Sequence, residues 1–236
     1  MNTAIQENGL VIYKTTLYTC PMEHGQNLFT VIVGDLIGSS EINDRPVVSN
    51  QIAEAIEGIG TNFRDDFHGR LTITRGMDEI SGVLKRPALA YKICRELNYI
   101  IFPHCFRFAV VQNILDVNVE TKEARRMDGP AFHRAADIME QLKKDNLFYS
   151  FEVSLNVSDF NMSITALANL VSIILQRRTE RQDLILREYM KSGRQQNVAD
   201  KFAITQQAVS DSLKSLHWQY IKRVENLIDN MLNESV

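Results

Sequence analysis

From Phe29 to about Leu155 the spacing of apolar residues switches repeatedly between the period of two that marks a strand and the longer period that marks a helix. In "FTVIVGDLIGSS" the residues Phe29, Val31 and Val33 share one strand face with Asp35. Ile32 on the other face is apolar as well, so both faces are covered and the strand is central. Ile52, Ile56, Ile59 and Phe63 then recur at helical spacing, with Pro46 suited to the first turn. "RLTITR" and "EISGVL" read as two short strands joined by "GMD", a tight hairpin. Leu89, Ile93, Leu97 and Ile100 mark a second helix and "FRFAVVQNIL" a further strand. "DVNVETKEARRM" is a loop or irregular hairpin, and Phe132, Ala135, Ala136, Met139 and Leu142 outline a third helix begun at "DGP". "LFYSFEVSL" is the last strand.

The order strand, helix, strand, strand, helix, strand, helix, strand predicts an α+β fold, a ferredoxin-like sheet with covering helices over residues 29–158. After "NVSDFN" the character changes. Ile164, Leu167, Val171 and Ile174 form a helical stripe, and everything beyond is helical, which predicts an all-α domain over residues 159–236. Residues 1–28 are an N-terminal extension with weaker patterning, in which "LVIYKTTLY" reads as an extra strand.

Within the helical part, "RQQNVADKFAITQQAVSDSLKSL" has the spacing of a helix-turn-helix, placed at about residues 180–217 with its flanking helix. Val198, Phe202, Ile204, Val209 and Leu213 face inward, Ala199 is small where two helices cross, and the Thr205 hydroxyl caps the second helix. Ala203 stands at the turn, where glycine is the usual residue. The outward face presents Thr205, Gln206, Gln207, Ser210 and Lys214, with Arg194 ahead of the first helix; such side chains hydrogen-bond base edges or phosphates.

Charge sharpens this picture. The 236 residues are 44% hydrophobic and 23% charged, an ordinary globular composition, and the net charge of -3 excludes a chain coated in basic surface. Locally, Arg177, Arg178, Arg181, Arg187, Lys191, Arg194, Lys201, Lys214, Lys222 and Arg223 outnumber Glu180, Asp183, Glu188, Asp200 and Asp211, an excess that suits phosphate contacts. The competing reading is a solvated helical bundle used for dimerisation. Cys20, Cys94 and Cys105 lack metal-ligand spacing, and Cys94 falls on the apolar side of a helix, which points to a reducing, cytoplasmic setting. The N-terminus has no signal pattern, and apolar runs such as "LNYIIF" are too short to cross a bilayer, so no membrane partner is expected.

A carboxylate on a buried strand needs compensation or a use. "TRGMDEISG" puts Asp78 and Glu79 at a hairpin that pairs next to the strand of Asp35. Three carboxylates arriving at one sheet end make a site for a hard divalent cation, Mg2+ or Mn2+, carrying a nucleotide. Gly34, Gly38 and Ser39 extend the reading, because backbone amides in a glycine turn bind phosphate, and His133 would line the same cleft. Otherwise Asp35 and Ser39 only organise a turn, with Arg75 or Arg45 neutralising the aspartate, and His133 sits on a helix surface.

"VGDLIGSSEINDR", "TRGMDEISGVL", "MDGPAFHRAAD" and "ITQQAVSDSLK", in this order, resemble the SatD family of bacterial proteins over nearly all the chain after residue 28. The N-terminal part also resembles, more remotely, the class III nucleotide cyclase and GGDEF-type palm domains, which act as dimers. That resemblance implies that Asp35 and Asp78 match the two metal-binding aspartates, with Glu79 beside the second. It departs at Met77, where glycine is usual, and at His133 and Asp137, where cyclases carry asparagine and arginine. An acidic group facing a transferring phosphate opposes the developing charge.

The expectation is a homodimeric DNA-binding transcriptional regulator. Its palm-like sensor would bind metal or nucleotide, and its partner is double-stranded DNA. The alternative is a nucleotidyl cyclase or related metal-dependent phosphoryl-transfer enzyme with a C-terminal dimerisation or targeting module.

Overall fold

A strand that is apolar on both faces has to lie between two layers, and β3 (Leu28–Leu36) does. In the computed structural model, which describes residues 4–7, 10–13, 28–153 and 158–234, β3 is the middle of a five-stranded mixed sheet. Its companions are β4 (Phe67–Arg75), β5 (Glu79–Leu84), β6 (Phe106–Ile114) and β7 (Tyr149–Glu152), in the order β4-β5-β3-β6-β7. All neighbours are antiparallel except β6 and β7, which are parallel. A separate antiparallel ribbon joins β1 (Ala4–Glu7) to β2 (Leu10–Tyr13). The latter holds the first part of the predicted extra strand; the remainder of "LVIYKTTLY", with Cys20 and His24, lies outside the described residues.

Helices α1 (Arg45–Asn62) and α2 (Ala90–Ile100) cover one face of the sheet, where Ile32, Ile80 and Phe108 meet Ile52, Ile59, Ile93 and Leu97. Helix α3 (Pro130–Asp145) covers the other face with Ala131, Ala135, Met139 and Leu142 against Val31, Val83, Ala109 and Val111. Strand β6 runs away from one end of the sheet, α3 runs back, and β7 follows parallel to β6. The end of β3, the β4–β5 hairpin, the start of β6 and the last turn of α3 therefore gather at the same end.

Helix α4 (Ser158–Gln176) protects the edge of the sheet at β7. An edge strand exposes unpaired amides. Here Asn169 Oδ1 accepts from the amides of Phe148 (2.8 Å) and Tyr149 (3.2 Å), Thr165 Oγ1 from Phe151 (3.0 Å) and Asn161 Oδ1 from Val153 (3.1 Å). Positions 161, 165 and 169 fall on one face of a helix, so α4 carries a polar row along an apolar body. By length and composition the same helix is also the one among the described residues apolar enough to cross a bilayer, with a mean hydropathy of 1.3 over an 18-residue window. Its apolar stretches are broken by Ser, Thr and Asn, and several of these bond the sheet edge instead.

Helices α5 (Glu180–Ser192), α6 (Gln195–Phe202) and α7 (Gln206–Ser215) form a trio around Ile185, Leu186, Val198, Ala199, Val209 and Leu213. Helix α8 (Trp218–Glu234) joins it to the sheet domain, contributing Ile221 to the helical core and Ile228 and Leu232 to the core beneath α1 and α2. Counting α8, the described residues hold eight α-helices. The break in sequence character near Ser158 is thus not a break in packing. Both described cysteines are buried, and burial pushes the Cys105 thiol up to about 12 and the Cys94 thiol well up.

Candidate functional site

The last residues of β3 put Asp35 directly opposite Glu79 of β5 and Arg107 of β6, and Arg75 of β4 lies opposite Glu79. Opposed residues of antiparallel strands share a face. Arg75, Glu79, Asp35 and Arg107 accordingly make a row of alternating charge on the α3 side of the sheet. The last turn of α3 adds Lys143, whose Nζ is 2.6 Å from Asp35 Oδ1, while Arg107 Nε is 3.8 Å from Oδ2. The compensation that the buried strand demands is therefore a lysine and an arginine, not Arg75 or Arg45.

Asp78 goes elsewhere. It precedes β5 by one residue, its carbonyl accepts from the Leu36 amide at 2.8 Å, and its carboxylate lies 3.6 Å from Arg45 Nη2 at the start of α1, the opposite helical layer. Asp35, Asp78 and Glu79 do not converge, and no group of three His, Cys, Asp or Glu able to hold a metal ion occurs among the described residues. This corrects the expected Mg2+ or Mn2+ site. Adjacent residues entering a strand alternate in direction, so Asp78 and Glu79 serve different faces. The residues present do not fit the cation.

The residues of the expected phosphate turn have local structural roles. Gly34 is glycine for packing: an added Cβ would lie 2.7 Å from Ile80 Cγ1 and 2.9 Å from Phe108 Cε1. Gly38, at φ 66°, makes the left-handed turn into a three-residue 3-10 segment, Ser39–Glu41. Arg45 Nη1 donates to the Ser39 carbonyl at 3.0 Å, so the guanidinium that meets Asp78 also ties down this turn. His133 lies near the N-terminus of α3, its Nε2 3.2 Å from Asp128 Oδ1. Lys143 is ten residues further along, about 15 Å at the helical rise, so His133 belongs to the other end of the sheet.

The helical trio has the predicted local geometry. Ala203 adopts the left-handed conformation, φ 50° and ψ 47°, between α6 and α7, and Thr205 Oγ1 accepts from the Ala208 amide at 3.1 Å. Gln206, Gln207 and Lys214 are exposed, as are Thr205 and Arg194, and Ser210 is half-buried. Asp211 shares this face, accepting from Gln207 Nε2 at 2.8 Å and lying 3.9 Å from Lys214 Nζ.

Two of the cations counted in the basic excess, Arg178 and Arg187, are engaged within the protein, and Lys201 is paired at its surface. Arg178, nearly inaccessible, donates through Nε to Asp183 at 2.8 Å and through Nη1 to the Leu175 carbonyl at 2.8 Å, and lies 3.6 Å above the Phe102 ring. Arg187 donates to the other Asp183 oxygen at 2.6 Å and to the Ile100 carbonyl at 3.1 Å. Lys201 pairs with Glu188. Arg177, Arg181, Lys191, Arg194, Lys214, Lys222 and Arg223 remain exposed.

A second cluster sits between α2 and α8. Tyr99 Oη donates to Glu225 at 2.9 Å, and Arg95 donates to both Asp229 oxygens at 2.8 and 2.9 Å while lying 3.8 Å from Glu225. Burial raises the Glu225 pKa above the ordinary 4.5, against the opposing pull of Arg95 and the Tyr99 hydrogen bond. A carboxyl raised on folding binds its proton more tightly in the folded state. Its stabilising contribution is thus largest below the ordinary value and is lost as pH rises through the raised one. Urea midpoints of Glu225→Gln, measured through that interval, are expected to fall less with rising pH than those of the unaltered chain.

The model of the SatD family matches residues 29–232. No curated protein matches. Among solved structures, the crystal structure of a regulator of polyketide synthase expression from Bifidobacterium adolescentis is 15% identical, with a TM-score of 0.26, over 88% of this chain and 86% of that chain.

Proposed function

The chain belongs to the SatD family, and we propose that it is a DNA-binding regulator in which α5–α7 is a helix-turn-helix carried on a ferredoxin-like, palm-like body. The strand order β4-β5-β3-β6 supports the latter: numbered by sequence within the core, it is the alternating ferredoxin-like arrangement, extended by β7. The observation that carries the DNA reading is the turn between α6 and α7. Ala203 accepts a left-handed backbone that costs an L-residue roughly 1 kcal/mol, Val198, Ala199, Val209 and Leu213 are buried, and the face of α7 bearing Gln206, Gln207 and Lys214 is left open. The exposed cations of α5 to α8 supply phosphate contacts. Helix-turn-helix proteins bind two half-sites as dimers, so the full chain is expected as a homodimer on a two-fold operator.

The cyclase alternative requires open carboxylates at the sheet end. Asp35 and Asp78 are each ion-paired to residues of different layers, and it is not advanced.

The test is fluorescence anisotropy of the full chain with genomic duplex fragments across a salt series. Saturable binding that weakens with salt is expected, and Lys214→Glu should weaken it at least about tenfold by removing one phosphate contact and adding a repulsion. The absence of salt-sensitive binding to any duplex would overturn the reading.

A further inference from the structure

The largest space among the cavities described opens at the sheet edge formed by β4, well away from the acidic row. It is a cleft of about 630 Å3 walled by the turn after α1, by β4, by Lys85 after β5 and by residues 122–125 between β6 and α3. Arg64, His68, Arg70, Lys85, Lys122 and Arg125 line it, against only Asp65 and Glu123. Glu123 lies 3.5 Å from Arg125 and 3.8 Å from Arg126, so this one acid is shared by two arginines and leaves them a net positive charge. Lys85 Nζ is 2.5 Å from the Asp65 carbonyl oxygen, a neutral acceptor that leaves the ammonium charge uncompensated. In a chain of net charge -3, this concentration of cations in a concave space is a local inversion.

The wall is built, not incidental. Gly69 in β4 admits the 124–127 segment against the sheet, since an added Cβ would lie 3.1 Å from the Ala124 amide nitrogen and 3.1 Å from Met127 Cε. That close approach brings Arg125 to the rim. On its far side, Ala124 and Arg125 also border a second space of about 250 Å3 under α3, lined by Val33, Thr74, Ser81, Met127 and Phe132, with Asp128 as its one acid. Ser81 is buried, and its hydroxyl has no hydrogen-bond partner within the protein. A buried hydroxyl without a partner is uncommon, and one facing a cavity is placed to meet a ligand atom.

We propose that these two neighbouring spaces, which share Ala124 and Arg125 in their linings, together form a binding site for a nucleoside di- or triphosphate. The phosphates lie among Arg64, Arg70, Lys85, Lys122 and Arg125. The base enters the second space against Phe132, with the Ser81 hydroxyl bonding its edge. A basic cleft beside a smaller pocket that is apolar over much of its lining and carries the unpartnered Ser81 hydroxyl matches a molecule that is polyanionic at one end and aromatic with polar edges at the other. The second space adjoins the acidic row, since Val33 and Ser81 are the next same-face positions to Asp35 and Glu79, but neither of those acids lines it and the site needs no metal ligand from them.

Isothermal titration calorimetry of the full chain with ATP, GTP and inorganic pyrophosphate tests the assignment. One nucleotide should bind saturably and at least about tenfold more tightly than pyrophosphate, because only the nucleotide fills the second space. Arg64→Glu with Arg70→Glu, both at exposed positions, should weaken nucleotide binding at least about tenfold. An unchanged urea midpoint would show that this variant remains folded. Lys214→Glu should leave nucleotide binding unchanged, which separates this site from the DNA reading. The assignment is overturned by a lack of saturable nucleotide binding, by equal affinity for pyrophosphate and both nucleotides, by no loss in the charge-reversed variant, or by a loss in Lys214→Glu.

Discussion

Replacing Asp183 by alanine is expected to lower the unfolding free energy by about 3–5 kcal/mol, because removing one member of a buried ion pair leaves the other desolvated without its counter-charge. Asp183 is the single carboxylate holding two arginines, and the Arg178 side chain is only 2% exposed. Burial lowers the Arg178 pKa and Asp183 opposes that shift, so the carboxylate offsets part of the cost of burying a group that stays charged. The double replacement Arg178→Met with Asp183→Leu should be milder than Asp183→Ala, since no ion is then stranded in the interior and Arg187, 30% exposed in its side chain, can turn to water. Urea unfolding of the full chain, read as the shift in midpoint at constant slope, decides it. A loss below about 1 kcal/mol for Asp183→Ala would place the pair in water and not in the core.

The same cluster bears on how the two halves are coupled. Arg187 bonds the Ile100 carbonyl at the end of α2, and Arg178 covers Phe102 just beyond it, while Glu225 and Asp229 of α8 hold Arg95 and Tyr99 of α2 itself. Helix α2 is thereby gripped by the helical part on two sides, and it also packs on the sheet face opposite α3. A ligand that altered the sheet could act on the helical trio only by favouring one packing of this grip over another.

Much of this was legible in the sequence because it depended on local rules. The both-faces apolar pattern of 29–34 made β3 central, the hairpin around Gly76 placed β5 beside it, and Val198, Ala199, Thr205 and Val209 fixed the α6–α7 turn through spacing and a cap. What failed depended on which side chain meets which across space. Arg177 and Arg178 are neighbours of identical type, yet one is exposed and one buried, a distinction set by the direction in which α4 ends. Lys143, in "QLKKDN", reads as a solvated helix terminus, and only the return path of α3 carries it to Asp35. The divergence of Asp78 from Glu79 was available from strand alternation alone, and the attraction of three nearby acids obscured it. The Asn161, Thr165 and Asn169 row had a signal too, polar residues four apart on an apolar helix, but its purpose appears only when β7 is seen to need partners.

Asp35→Ala separates a structural carboxylate from a metal ligand by the sign of its effect. Arg107 is buried, and its Nε and Nη1 have no hydrogen-bond partner within the protein, so Asp35 is the counter-charge that makes its burial tolerable. Lys143, half-exposed, can rehydrate once Asp35 is gone; Arg107 cannot. A loss of about 2–4 kcal/mol in unfolding free energy is therefore expected, somewhat below the value for a fully interior pair because Asp35 retains some contact with water. Asp35→Asn, which keeps the shape and one acceptor for Lys143 while removing the charge, should destabilise by a smaller amount in the same direction. A carboxylate clustered with other carboxylates to bind a cation behaves in the opposite way: its removal relieves repulsion and stabilises the cation-free chain. Millimolar Mg2+ would then raise the midpoint of the unaltered protein but not of the variant, by mass action on the folded state. Paired urea titrations with and without Mg2+ read both signs, and a stabilised Asp35→Ala whose parent responds to Mg2+ would return the acidic end of the sheet to metal binding.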